Sequence, residues 1–183
     1  MLKKGKNMKN DLVRKLSFAA MCLALALVLP FLTGQIPQIG SMLSPMHLPV
    51  LLCGFLCGGL WGALVGFIAP LLRFVLFGMP PIFPTGVAMA FELCTYGLVC
   101  GLLYRTLPKR PINVYVTLIC AMLAGRAVWG LVRFIIAGLT KTQFPFSAFI
   151  AGAFTSAVPG IILQIILVPL IVFALEKAKL IEK

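Results

Sequence analysis

Long apolar runs, broken by short polar or proline-bearing segments, make up most of this chain, and the runs have membrane-crossing length. A bilayer core about 30 Å thick needs about 20 apolar residues in helical form. Scanned at that length, the sequence predicts spans at about Val13–Leu32, Leu60–Gly78, Val87–Tyr104, Ile112–Gly138 and Ala148–Leu175, with a shorter one at Met46–Gly58. The Gly58–Gly59 pair separates the second span from the third. As one helix, Met46–Gly78 would measure about 50 Å, so a tight turn is expected there and not a kink. Met79–Gly86 holds three prolines and cannot continue a helix. Pro159 and Gly160, inside the last span, predict a kink. The first apolar run lacks a small-x-small cleavage site and is followed by further spans, so it reads as a retained helix. The expected fold is an all-α integral membrane protein of six transmembrane helices. It forms a single membrane domain over residues 1–183: a basic segment 1–12, a bundle 13–175 and a charged tail 176–183.

Composition supports lipid as the solvent. Of 183 residues, 61% are hydrophobic and only 11% charged, with a mean hydropathy of +1.09, more apolar surface than a soluble domain of this size can hide. A net charge of +12 could suggest nucleic acid, but the cations flank the apolar spans, so no nucleic-acid partner is expected. Lys3, Lys4, Lys6, Lys9, Arg14 and Lys15 precede span one, Arg105, Lys109 and Arg110 follow span four, and Lys177, Lys179 and Lys183 end the chain. Lys141 stands alone on the other side. By the positive-inside rule both termini are cytoplasmic, and Thr33–Pro45, Met79–Gly86 and Leu139–Ser147 face outwards.

Four ionisable residues fall inside the spans: Arg73, Glu92, Arg126 and Arg133. A charge at bilayer depth costs roughly 2.5–3.5 kcal/mol on insertion scales, so such residues tend to face the protein interior and mark a ligand path. Counted from the external span ends, Arg73, Glu92 and Arg133 share one level, about 8 Å deep, and Arg126 lies two turns deeper on the face of Arg133. Thr95 and Tyr96 lie on the Glu92 face, Trp129 between the two span-five arginines, and Gln164 in mid-span six. Together these form a candidate small-molecule pocket. Three arginines against one glutamate lean towards a solute with a carboxylate or strong hydrogen-bonding groups. The structural alternative is that Arg73 and Arg133 snorkel outwards and Glu92 bridges to one of them.

Catalytic chemistry finds little support. There is no GxxxxGK[ST] phosphate loop, no acidic pair for a metal and no Ser/His/Asp set, the single histidine being His47 at the head of span two. The chain is therefore not expected to be an enzyme or to carry a cofactor or metal. Cys22, Cys53, Cys57, Cys94, Cys100 and Cys120 all lie in apolar runs without a CxxC pair and read as free buried thiols. In span one, Ala20 and Ala24 have the small-xxx-small spacing that lets another helix approach closely.

The basic N-terminus, this AxxxA-type first span and six spans in under 200 residues resemble the substrate-binding S-components of energy-coupling factor (ECF) vitamin transporters. The stretches Met46–Phe55 and Gly62–Phe67 add to the likeness, and Gly78–Pro84 followed by Phe91–Gly97 looks like the branch with pantothenate- and pyridoxine-type members. The resemblance implies a multi-pass plasma-membrane protein that takes up a water-soluble vitamin and works with a transmembrane coupling protein and two ATPases. It implies that the face of Ala20 and Ala24 docks the coupling protein and that the vitamin sits near the external side, between the loop after span one and the last three helices. A pantothenate-like solute suits the arginine excess. A pyridoxine-type or other vitamin suits Glu92 as acceptor. A self-contained channel or proton-coupled carrier, with Glu92 as the cycling acid, and a ligand-free assembly protein are the competing readings.

Overall fold

The computed structural model describes residues 2–33, 42–108, 110–142, 145–152 and 157–178, with side chains from Asp11 to Leu32 in the first stretch. Of the cations that set the expected orientation, Lys3, Lys4, Lys6, Lys9, Lys109, Lys179 and Lys183 lie outside the described side chains. The main elements are α1 (Leu2–Val28), α2 (His47–Cys57), α3 (Gly59–Phe77), α4 (Val87–Thr106), α5 (Pro111–Thr140), the short α6 (Phe146–Ile150) and α7 (Val158–Lys177). A single 3₁₀ turn, Leu29–Thr33, ends α1, and an irregular turn, Ile82–Gly86, leads into α4.

Among the described residues, five apolar helices are long enough to cross a membrane: Asp11–Leu32, Gly59–Phe77, Ile82–Thr106, Pro111–Thr140 and Val158–Lys177. Their outward faces carry large apolar side chains such as Leu25, Leu64, Leu102, Leu123 and Ile166, as lipid contact requires. The protein is thus an all-α, multi-pass membrane protein. The expected second span is different in kind. α2 has eleven residues, about 16 Å or half a bilayer core, and nine of them are buried. A helix apolar on every side must be enclosed on every side, and α2 packs against α1, α3, α4 and α7.

The Gly58 turn reverses the chain, as its neighbours show. A β-carbon on Gly62 would stand 2.9 Å from the Gly54 α-carbon, whereas eight residues of continuous helix separate such atoms by about 12 Å. Gly58 itself has φ 94°, a backbone conformation that side chains disfavour. The Arg105 Nη2 donates to the Cys57 carbonyl at 3.1 Å and its guanidinium covers Gly58, so the last turn of α2 gains the cation its free carbonyls favour. The Cys57 thiol donates to the Lys15 carbonyl at 3.4 Å. The end of α2 is therefore level with Lys15 and Arg105, and its start, at His47, stops in mid-bundle. Ser44 and Met46 are buried above it, and the Met42 and Leu43 carbonyls lie where a β-carbon on Gly160 of α7 would be, at 2.6 and 2.8 Å.

α3 and α4 form the most extensive helix pair. Their backbones touch: a β-carbon on Gly97 would fall on the backbone of Gly62. Small residues permit this approach, and in lipid such van der Waals contact replaces the hydrophobic drive that water would supply.

Two expectations need correction. Span six is not one kinked helix, because α7 begins at Val158 with Pro159 in its first turn. Proline's missing N–H costs nothing there, so Pro159 starts a helix and does not bend one. The cysteines are free, but only Cys22, Cys53, Cys57 and Cys100 are buried; Cys94 is half-buried and Cys120 faces outwards.

Candidate functional site

One oxygen of Glu92 gathers three side chains from three other positions in the bundle. Arg126 Nη1 of α5 lies 2.9 Å from Glu92 Oε1, the Tyr96 hydroxyl donates to it at 3.1 Å, and His47 Nε2 of α2 stands 3.4 Å away. Glu92 and His47 are each 2% exposed and Tyr96 is fully buried. Local structure explains the convergence. Glu92 and Tyr96 are four apart and share a face of α4. The Tyr96 ring packs on Gly125, where a β-carbon would overlap it, and this brings the next residue, Arg126, alongside the carboxylate. The edge of the His47 ring meets Tyr96 with centroids 5.2 Å apart.

Several polar atoms here lack a partner among the described residues. They are His47 Nδ1, Arg126 Nε and, on α7, Gln164 Oε1; Thr117 Oγ1, further along α5, is a fourth. Buried groups of this kind cost about 1–3 kcal/mol each when unsatisfied, so each has capacity for a further hydrogen bond. A cleft of about 220 Å³ lies beside Arg126 between α5 and α7, lined by Ile119, Met122, Leu123, Arg126, Ile161 and Ile165, and it opens on the outer face, where Ile119 and Leu123 are exposed. Arg126 belongs to both the cleft and the Glu92 cluster. Gln164 sits on the buried face of α7, between the cleft residues Ile161 and Ile165.

The remaining predicted residues are placed differently. The Arg133 guanidinium lies over the Trp129 ring, 5.9 Å from its centroid. Trp129 stacks on Phe149 of α6 at 6.2 Å and 26°, and a β-carbon on Gly130 would overlap the Phe149 ring. These form an aromatic group that starts one turn along α5 from Arg126. The Thr95 hydroxyl donates to the Phe91 carbonyl of its own helix at 2.8 Å. Arg73 is brought elsewhere: Nη1 donates to the Leu27 carbonyl at 2.6 Å, and its guanidinium packs on Phe31 and Phe77 with centroids 5.2 and 5.4 Å away. It ties the end of α1 to α3. Ala20 and Ala24 lie on the outward, exposed face of α1, while Ala19, Cys22 and Ala26 face the core.

α4 starts at Val87, as expected, with the irregular turn Ile82–Gly86 before it, so counting along single helices does not decide which charges meet. The packing of α4 on α5 brings Glu92 to Arg126, two turns along α5 from Arg133. His47 is the residue that sequence reasoning missed. A lone histidine in an apolar stretch, Met46-His47-Leu48-Pro49, was the available signal.

A family model described as "ECF transporter, substrate-specific component" matches residues 14–172. Neither the curated proteins nor the solved structures include a match to this chain.

Proposed function

The chain belongs to the substrate-specific components of ECF transporters, and from that premise we propose that it captures a water-soluble vitamin or related precursor from outside the cell. As a member of that family it is a multi-pass plasma-membrane transport protein and not an enzyme. The observation that carries the proposal is the polar group His47, Glu92, Tyr96 and Arg126 beside an apolar cleft, inside a bundle whose other interior contacts are mainly apolar. Apolar walls with a few convergent polar groups are what a small-molecule site requires. Gln164 is buried on α7, next in sequence to the cleft residue Ile165. Trp129 and Arg133 supply a flat aromatic surface and a cation nearer the outer end of α5. Thr95 is bonded to its own helix, and Arg73 positions α1. A proton-coupled carrier would need an acid that exchanges its proton with water; the enclosure of Glu92 by three partners speaks against that role.

Transport, in this proposal, needs a transmembrane coupling protein and two ATPases. Ala20 and Ala24 are the docking positions, and their exposure on α1 supports this assignment. The site is tested with purified Arg126→Ala and Arg133→Ala variants and the small molecule that co-purifies with the parent. Truncating a buried charged contact to a ligand costs about 2–5 kcal/mol, tens- to thousands-fold in affinity. Parent-like binding by both folded variants would remove the site assignment.

A further inference from the structure

The charge balance around Arg126 narrows the chemistry of the solute. Before any ligand arrives, Arg126 already faces the Glu92 carboxylate at 2.9 Å, with His47 and Tyr96 against the same oxygen. Arg73, which the sequence placed at the level of Glu92, spends its charge on the Leu27 carbonyl and two phenylalanine rings. In this cluster one guanidinium therefore meets one carboxylate. A ligand anion bonded to Arg126 would sit a few ångströms from Glu92, in a low-dielectric interior that screens like charges poorly.

The buried atoms without a partner are of both kinds. Arg126 Nε is a donor, Gln164 Oε1 on the buried face of α7 an acceptor, and His47 Nδ1 an acceptor in the neutral ring whose Nε2–H faces Glu92 Oε1. A carboxylate or phosphate answers only donors. A group with N–H or O–H beside a carbonyl answers both, as buried polar atoms require. The cleft between α5 and α7, about 220 Å³ and apolar apart from Arg126, suits a compact ring or branched chain.

Resting on the binding reading above, we infer that the solute is uncharged at its recognised head: an amide, lactam, ureide or hydroxyl-bearing ring on a small apolar body, and not a free acid. Arg133 adds no contact to the Glu92 carboxylate, its guanidinium lying over the Trp129 ring 5.9 Å from the centroid.

The test has two arms on the purified full-length protein. Mass spectrometry identifies any small molecule released on denaturation, and equilibrium binding compares matched probes: nicotinamide with nicotinate, pantothenol with pantothenate, and biotinamide with biotin. The expected results are a released molecule with no net charge at neutral pH and, in any pair that binds, at least tenfold tighter binding of the uncharged member. A released acid, or an acid probe binding as tightly as its partner, overturns the inference and leaves the capture reading standing. No released molecule and no binding by any probe would overturn both. Gln164→Leu adds an internal check, since loss of the acceptor should weaken the preferred uncharged ligand tenfold or more; unchanged affinity would also count against the inference.

Discussion

The Arg126 guanidinium reaches the Glu92 carboxylate across the α4–α5 contact at 2.9 Å, where neither side chain exposes more than 10% of its surface. Breaking a buried pair from one side strands a charge and costs about 3–5 kcal/mol, whereas replacing both partners with apolar groups is often neutral. Glu92→Leu and Arg126→Met should each lower the thermal stability of the detergent-purified protein, and the double variant should recover most of the loss. Additive losses in the double variant would show that the two residues do not act as a pair.

The contact of Gly97 with Gly62 predicts a steric cost. Gly97→Ala puts a methyl group on the backbone of α3 and should destabilise by about 1–3 kcal/mol, and Gly97→Val by more. Gly138, with nothing near its would-be β-carbon, is the control: Gly138→Ala should unfold like the parent. A parent-like melting temperature for Gly97→Val would refute the close packing.

Arg73 separates a positioning role from a binding one. Arg73→Met removes a charged donor from the Leu27 carbonyl and should cost about 1.5–3 kcal/mol of stability. Affinity for the co-purified ligand should stay within a few-fold of the parent. A loss of more than tenfold would return Arg73 to the pocket.

Docking on α1 predicts the opposite separation. Ala20→Trp or Ala24→Trp should abolish co-purification with the coupling protein and stop uptake, because helix approach at small residues tolerates no large side chain. Ligand affinity should be unchanged, since both residues point away from the core. A variant that lost ligand binding yet kept the coupling protein would place α1 in the site.

Orientation is checked by labelling single cysteines in a background with the six native cysteines replaced. With both termini cytoplasmic, a cysteine at Lys141 should react with an impermeant reagent in intact cells and one at Arg110 should not. Reaction at Arg110 would reverse the topology that the positive-inside rule assigns.

The membrane character of the chain, the helical class, the reversal at Gly58–Gly59, three residues that meet, Glu92, Tyr96 and Arg126, and the buried Gln164 were legible in the sequence. Each is a local property: apolar run length sets a span, glycine marks a tight turn, and a polar residue in an apolar run declares itself by cost. Tertiary structure decided which of the charges meet. Counting along single helices gave Glu92 and Arg133 one depth, but the way α4 packs on α5 sets Glu92 against Arg126 instead. Arg73 and Arg126 look alike as buried arginines; only the packing of α1 on α3 and of α4 on α5 gives one a backbone carbonyl and the other a carboxylate. His47 became part of the site because α2 is half a span long and stops in mid-bundle. Its depth depends on the turn at Gly58, the Arg105 contact there and the segment Met42–Met46 above it, long-range packing that no hydropathy window records.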